Sequence, residues 1–332
     1  MGNRRKQGGL MFLWKSLENK IRKAGGYVNA HAHFDRAYTL SPKDLEDVVY
    51  NQLEEKWRLV DSFKRRADIN RYLGNFIHAL EDQHDYGVTA CLSFVDVDPV
   101  CGDKAIIGGN LAKERANKLG IELVLACQTL KGVLIPSCRH IIEAQLDIGS
   151  VDIIGSLPGA DHGDPKHYDV IFELARRYNK RVHVHVDQLN TAAERETEML
   201  ARKTIEHGWE DKVTAVHSIS LACHPKHYRQ EVYKMAKDAG LSFISCPTAW
   251  IDHRRTEELT PNHNAITPVD ELLEHDLTVA LGTDNINDIY KPYSDGNMGT
   301  ELRFLMEALH IYDQDTLVKI VTENGRKVIK PL

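Results

Sequence analysis

The stretch Arg181-Val182-His183-Val184-His185-Val186-Asp187, followed by the amphipathic segment Glu194 to His207 and then by Val213-Thr214-Ala215-Val216-His217, reads as strand, helix, strand. The same unit recurs outward in both directions. Short runs rich in Val and Ile lie at 27–31, 88–94, 121–127, 151–157, 181–187, 213–217, 241–246 and 277–282. Segments with helical spacing separate them, among them Asp103 to Leu119, Arg139 to Leu146, Val170 to Tyr178 and His227 to Ala239. Several stop at a glycine, as Lys118-Leu119-Gly120 and Asp238-Ala239-Gly240 do, because glycine accepts the left-handed turn that ends a helix. Parallel strands covered on both faces need no polar alternation. The repeated pattern therefore predicts an α/β fold, a closed (β/α)8 TIM barrel with strand 1 near 27–31 and strand 8 near 277–283. A doubly wound open sheet is the alternative.

No Ser/Gly-rich linker or composition shift divides the chain, so residues 1–332 are expected to form a single barrel domain. The long interval 34–87 holds two helical segments, Pro42 to Lys64 and Ile69 to Tyr86. In a barrel it would leave from the C-terminal rim, where active sites are built, and is a candidate lid. Composition is that of an ordinary globular protein, 42% hydrophobic and 27% charged. With 42 basic and 48 acidic side chains the net charge is −6, so no positive field exists to attract nucleic acid. The six cysteines form no C-x-x-C pair, and Cys91, Cys127 and Cys246 lie in apolar runs, as buried hydrophobes do in a reducing compartment. No apolar stretch is long enough for a membrane helix. Arg4, Arg5 and Lys6 precede only the brief run Leu10 to Trp14, too short for a signal peptide, and Lys6 stands where a myristoylation motif wants Ser or Thr. A cytoplasmic location is the expectation.

Seventeen histidines make any single one weak evidence, and position is what promotes a few. His31 and His33, in Val28-Asn29-Ala30-His31-Ala32-His33, end the first run and share one face by the period of two. His185 ends the fifth run, His217 the sixth, and Asp284 follows Val279-Ala280-Leu281-Gly282-Thr283 at the end of the eighth. Barrel geometry brings all five to one rim. Neutral imidazoles with a carboxylate suit a catalytic divalent metal with an open position for water. Such a metal would lower the pKa of water toward neutrality for attack on an electrophilic carbon, with Asp284 and His217 as nearby proton acceptors.

With Asn29-Ala30-His31-Ala32-His33-Phe34-Asp35, Val184-His185-Val186-Asp187, the block Leu281 to Tyr290 and Gly296-Asn297-Met298, the sequence resembles the amidohydrolase superfamily. The likeness runs from about Tyr27 to Met298 and is nearest to the cytosine-deaminase branch. It implies one zinc or iron(II) ion held by His31, His33, His185 and Asp284, with His217 orienting the attacking water. The fourth run ends Gly155-Ser156-Leu157-Pro158, without the lysine that bridges two metals in other members, so one metal is expected.

Departures from the branch bear on the substrate. Gln188 stands where the branch has a proton-carrying Glu; an amide hydrogen-bonds but cannot shuttle a proton. Leu130 stands where cytosine deaminases read the base's amide edge with Gln, and Gln128 lies two residues earlier, so polar edge reading is lost or moved and cytosine is not the expected substrate. Asn285 replaces a second carboxylate after strand 8, lowering the anionic character of the pocket. Lys131, His162, Trp250, His253 and Asn287 follow predicted strands and are candidates for substrate contact, and Lys131 and Arg36 would suit an anionic group. The small β-sandwich common in the branch is expected to be missing, because the chain ends look helical at Leu13 to Lys23, Thr300 to His310 and Asp315 to Lys327. The expectation is a mononuclear metal-dependent hydrolase of C–N bonds in a small heterocycle or amide, with ring-amine deamination leading. Opening of a cyclic amide or removal of an N-substituent is the alternative, and a metal-retaining binding protein without turnover the rival from another class. A small molecule is the expected partner, and self-association is open.

Overall fold

The computed structural model describes residues 7–43, 45, 51, 53–249 and 265–332. Eight parallel strands follow one another in chain order: β1 (Tyr27–Ala32), β2 (Val88–Asp96), β3 (Glu122–Gln128), β4 (Ile153–Ser156), β5 (Val182–Val186), β6 (Val213–His217), β7 (Ser242–Ser245) and β8 (Thr278–Leu281). They match the eight predicted runs. The chain is a (β/α)8 TIM barrel, and among the described residues this is the only sheet. All six residues of β1 are buried, as a strand covered on both sides requires. The outer helices each turn one apolar stripe inward. In Lys166–Tyr178 the stripe is Tyr168, Ile171, Phe172 and Ala175, spaced by three, four and seven residues.

The barrel closes at its rim. The backbone N–H groups of Thr283 and Asp284 donate to the His31 carbonyl at 3.0 and 2.9 Å. Asn29 clamps the same junction: its Nδ2 donates to Thr283 Oγ1 at 2.8 Å and its Oδ1 accepts from Thr283 N at 3.1 Å. Gly282 is required there, since a Cβ would sit 2.7 Å from both Cβ and O of His31.

The predicted C-terminal helix is two helices, Gln314–Val321 and Glu323–Ile329, broken at Thr322. The break turns the last helix under the barrel, where Asn324 Nδ2 donates to Val279 O at 2.8 Å and His183 Nε2 lies 3.0 Å from Val328 O. Apolar spacing continues through Thr322, so periodicity carries no sign of the bend. Helix α1 (Gln7–Lys23) precedes β1, and the β1–β2 interval contains α2 (Leu53–Arg66) and α3 (Ile69–Asp85); most of the predicted helix between Pro42 and Leu53 lies outside the described residues. Lys64 of α2 is 2.7 Å from both Asp96 Oδ2 and Asp98 Oδ2, and Asp61 is 2.7 Å from Lys131. These contacts fasten α2 across the mouth. None of the described helices is long and apolar enough to cross a membrane.

Candidate metal centre and substrate cavity

His31 comes from β1, His33 from just beyond it, His185 from β5, His217 from the last position of β6, and Asp284 from the turn after β8. His217 and Asp284 have positive φ, 75° and 60°. That region is strained for side chains other than glycine, and here it turns both groups off their strands. All five side chains are buried. The ligand atoms of His31, His33 and His185 lie within 4.8 Å of one another, as do those of His31, His217 and Asp284. His31 Nε2 and His33 Nε2 are each 3.3 Å from Asp284 Oδ1. Phe94 forms the floor, its ring centroid 4.7 Å from that of His31 and 4.6 Å from that of His185.

The electrostatics fit a cation. Burial, helped by the Arg36 charge, pulls the His33 pKa down to about 3, and burial pulls His217 down to about 4. His185 is held well below its usual value by burial and its histidine neighbours. These rings are therefore neutral near pH 7, the ligating form. Burial pushes Asp284 upward, but the imidazoles of His31 and His33, each 3.3 Å away, prevail and hold it well below the usual carboxylate range. Both ring nitrogens of His31 and the Nδ1 atoms of His33 and His217 are buried with no hydrogen-bond partner. Unpaired buried polar atoms are costly, and a divalent ion at the centre of the cluster satisfies the atoms that face it. His185 Nδ1 donates to Ser156 O at 3.2 Å, which leaves Nε2 for the metal. Ser156 is braced in turn, its Oγ 2.6 Å from His167 Nε2, whose Nδ1 is 2.5 Å from Asp161 Oδ2.

A cavity of about 20 Å³, room for one or two waters, opens on this cluster under α2. Leu130, Gln188 and Asn285 line it together with His33, His185, His217 and Asp284. Lys131 and Asn287 are not in its lining: Lys131 pairs with Asp61, and Asn287 Nδ2 donates to Pro292 O at 2.8 Å. His162 is exposed, and Trp250 and His253 lie outside the described residues.

The far wall carries groups that sequence reasoning missed or undervalued. Gln128, Arg36, Trp57 and Tyr290 line it. Arg36 is 5% exposed and meets Asp96 at 3.3 Å and Asp288 at 3.5 Å. Burial opposes ionisation of Asp96, yet Lys64 and Arg36 overcome it and hold its pKa below the carboxylate range. Burial raises Asp288 to about 7 against the pull of Arg36. The carboxyl groups of Asp96 and Asp288 are not in the cavity lining; they stand behind the wall beside the buried cations Arg36 and Lys64. The pair Asp96-Val97-Asp98 at the end of an apolar run was the available signal, since carboxylates there reach the rim.

The model of the amidohydrolase family matches residues 49–330. The chain belongs to the amidohydrolase family. It is 43% identical over 263 residues to an uncharacterised protein of Haemophilus influenzae, covering 77% of this chain and 94% of that one. It is 26% identical to the N-isopropylammelide isopropyl amidohydrolase of a Pseudomonas species, over 92% of this chain and 74% of the relative. Among solved structures, the 5-methylcytosine deaminase of Klebsiella pneumoniae superposes with a TM-score of 0.82 at 24% identity, over 92% of this chain and 74% of that one. This last likeness bears on the fold. The resemblance to the amidohydrolase superfamily read from the motifs agrees with the family match.

Proposed function

We propose that this amidohydrolase is a mononuclear metal-dependent hydrolase that releases ammonia or an amine from a small nitrogen heterocycle. The buried cluster of imidazoles around one ionised carboxylate carries the reading. His31, His33, His185 and Asp284 would hold zinc or iron(II), which when bound supplies Lewis acidity and brings the pKa of water toward neutrality. Asp284 and His217, both in the cavity lining, are the proton acceptors for the attacking water and return the proton to the leaving nitrogen. Gln188 lines the same cavity and holds the substrate by hydrogen bonds, because an amide can donate and accept but does not ionise and so cannot shuttle a proton. Leu130, Leu157 and Trp57 give the ring apolar contacts. With α2 across the mouth the cavity is far smaller than an ordinary ligand site, and entry of a ring requires it to widen.

Removal of an N-substituent stands beside deamination, supported by the relative named for N-isopropylammelide. The metal-loaded protein should be assayed for ammonia and, separately, for alkylamine release from amino- and alkylamino-substituted pyrimidines and triazines. Release should occur with at least one class, and Asp284→Asn should lower it by about a hundredfold or more. A fully metal-loaded parent that binds these compounds and releases neither product supports the binding-protein reading instead.

A further inference from the structure

We propose that Asp161, His167 and Ser156 are positioning residues, a buried chain of hydrogen bonds that holds His185 in its ligating orientation and ties it to the loop carrying Leu130. The inference rests on the reading of His185 as a metal ligand and adds what sets its geometry. The chain is continuous. Asp161 Oδ2 takes His167 Nδ1 at 2.5 Å, His167 Nε2 lies 2.6 Å from Ser156 Oγ, and the Ser156 carbonyl takes His185 Nδ1 at 3.2 Å. An ionised carboxylate only accepts, so it assigns the His167 proton to Nδ1 and leaves Nε2 to accept the Ser156 hydroxyl. Burial opposes ionisation of Asp161, but His167 and the backbone N–H groups of Val133 and Leu134 outweigh it and hold its pKa below the usual carboxylate value. Hydroxyl, imidazole and carboxylate stand in the order of a serine nucleophile. Ser156, however, is 2% exposed and absent from the cavity lining, so no substrate carbon reaches its oxygen. Its hydroxyl is left to hold the end of β4 in place.

That end needs holding. The ladder of β4 with β3 stops at the pair Cys127 and Ile154, whereas the ladder with β5 continues to Ser156 and Val184. Beyond the β3 ladder the Asp161 carboxylate makes the connection: Oδ2 accepts from Val133 N at 2.8 Å and Oδ1 from Leu134 N at 3.3 Å. The β3 loop is shaped around it, since Gly132 has φ 79° and a Cβ there would collide with Asp161 Oδ1. Leu130 and Leu157, both in the cavity lining, belong to the two loops so joined. One carboxylate thus sets the apolar wall and, through His167 and Ser156, the imidazole of His185. A ligating imidazole is oriented by the partner of its other nitrogen, and disturbing that partner costs about tenfold to a hundredfold in metal affinity.

Zinc affinity, read by competition with a chelator, tests the chain without reference to turnover. Ser156→Ala keeps the carbonyl that meets His185 and removes only the hydroxyl, so it should weaken zinc by about tenfold and change the visible spectrum of the cobalt(II)-loaded protein. Ser156→Thr, which restores the hydroxyl, should bring zinc back to within about twofold of the parent and the spectrum with it. Asp161→Asn should weaken zinc alone but by less than about twofold on top of Ser156→Ala, since a chain already cut cannot be cut again. Zinc affinity in Ser156→Ala within about twofold of the parent, whatever its melting temperature, overturns the inference. Equal losses in Ser156→Ala and Ser156→Thr, or additive losses in the double variant, overturn it as well. If Ser156→Ala fails to fold, Asp161→Asn decides by the same thresholds. A parent that takes up no zinc sinks the metal centre and this inference together, whereas the expected losses without hydrolysis of any amino-heterocycle support the inference and count against the hydrolase.

Discussion

Replacing Glu194 by Gln should stabilise the protein at alkaline pH and do little in acid. Glu194 Oε2 accepts from Leu189 N at 2.7 Å and from Ser220 Oγ at 2.6 Å, bracing the loop that presents Gln188. Burial, reinforced by the Asp187 charge, lifts its pKa from 4.5 to about 7. A carboxyl whose folded pKa is raised favours the native state fully below its unfolded pKa, and this advantage is lost as pH rises through the folded one. For a rise from 4.5 to about 7 the full loss is about 3 kcal/mol, at about 1.4 kcal/mol per unit. Partial exposure of the side chain reduces the expected effect to about 1–2 kcal/mol. Glutamine keeps an oxygen to accept both hydrogen bonds and never ionises. Urea unfolding of the metal-loaded parent and variant should therefore show the variant ahead by about 1–2 kcal/mol more at about pH 8.5 than at about pH 5. A gap between the two proteins that does not change with pH would refute the assignment of a protonated Glu194 behind the Gln188 loop.

Three further outcomes are expected. Gly282→Ala puts a methyl 2.7 Å from the Cβ and carbonyl oxygen of His31, so it should cost about 1–3 kcal/mol and lower metal content, measured by melting and elemental analysis; parent-like values for both would mean the rim junction is looser than described. Lys64→Met removes the ammonium 2.7 Å from both Asp96 and Asp98, leaving Asp96 to Arg36, and should destabilise by about 3 kcal/mol in urea; a loss below about 1 kcal/mol would show that the carboxylates find other partners. His31→Ala should leave much less zinc or iron than the parent, which should hold at least about half an equivalent per chain; equal content in both speaks against the centre.

The barrel was readable because strand and helix periods are local. Val182 to Val186 and Val213 to His217 announce themselves by β-branched runs, and the period of two sets His31 and His33 on one face before any contact is known. The rim histidines were readable for the same reason: each ends a strand, and the fold makes strand ends converge. Where local spacing says nothing about the partner, the reading stopped. Lys64 looks like the charged end of an amphipathic helix, yet it is 2% exposed and lies between two aspartates more than thirty residues away. His183 and His185 look alike in Val182-His183-Val184-His185, but one lies against the Val328 carbonyl of the last helix and the other joins the cluster of candidate metal ligands.

Residue order alone thus determined the succession of strands and helices, the end of the barrel at which the histidines and Asp284 gather and the identity of the metal-ligand candidates. Tertiary structure decided the far wall: which carboxylates are balanced by Arg36 and Lys64, which way the Gln128 amide faces, and where the final helix bends. The difference is physical. Periodicity is a property of neighbours along the chain, whereas the ionisation of Asp96 and the orientation of Gln128 depend on groups that only folding brings within hydrogen-bond distance.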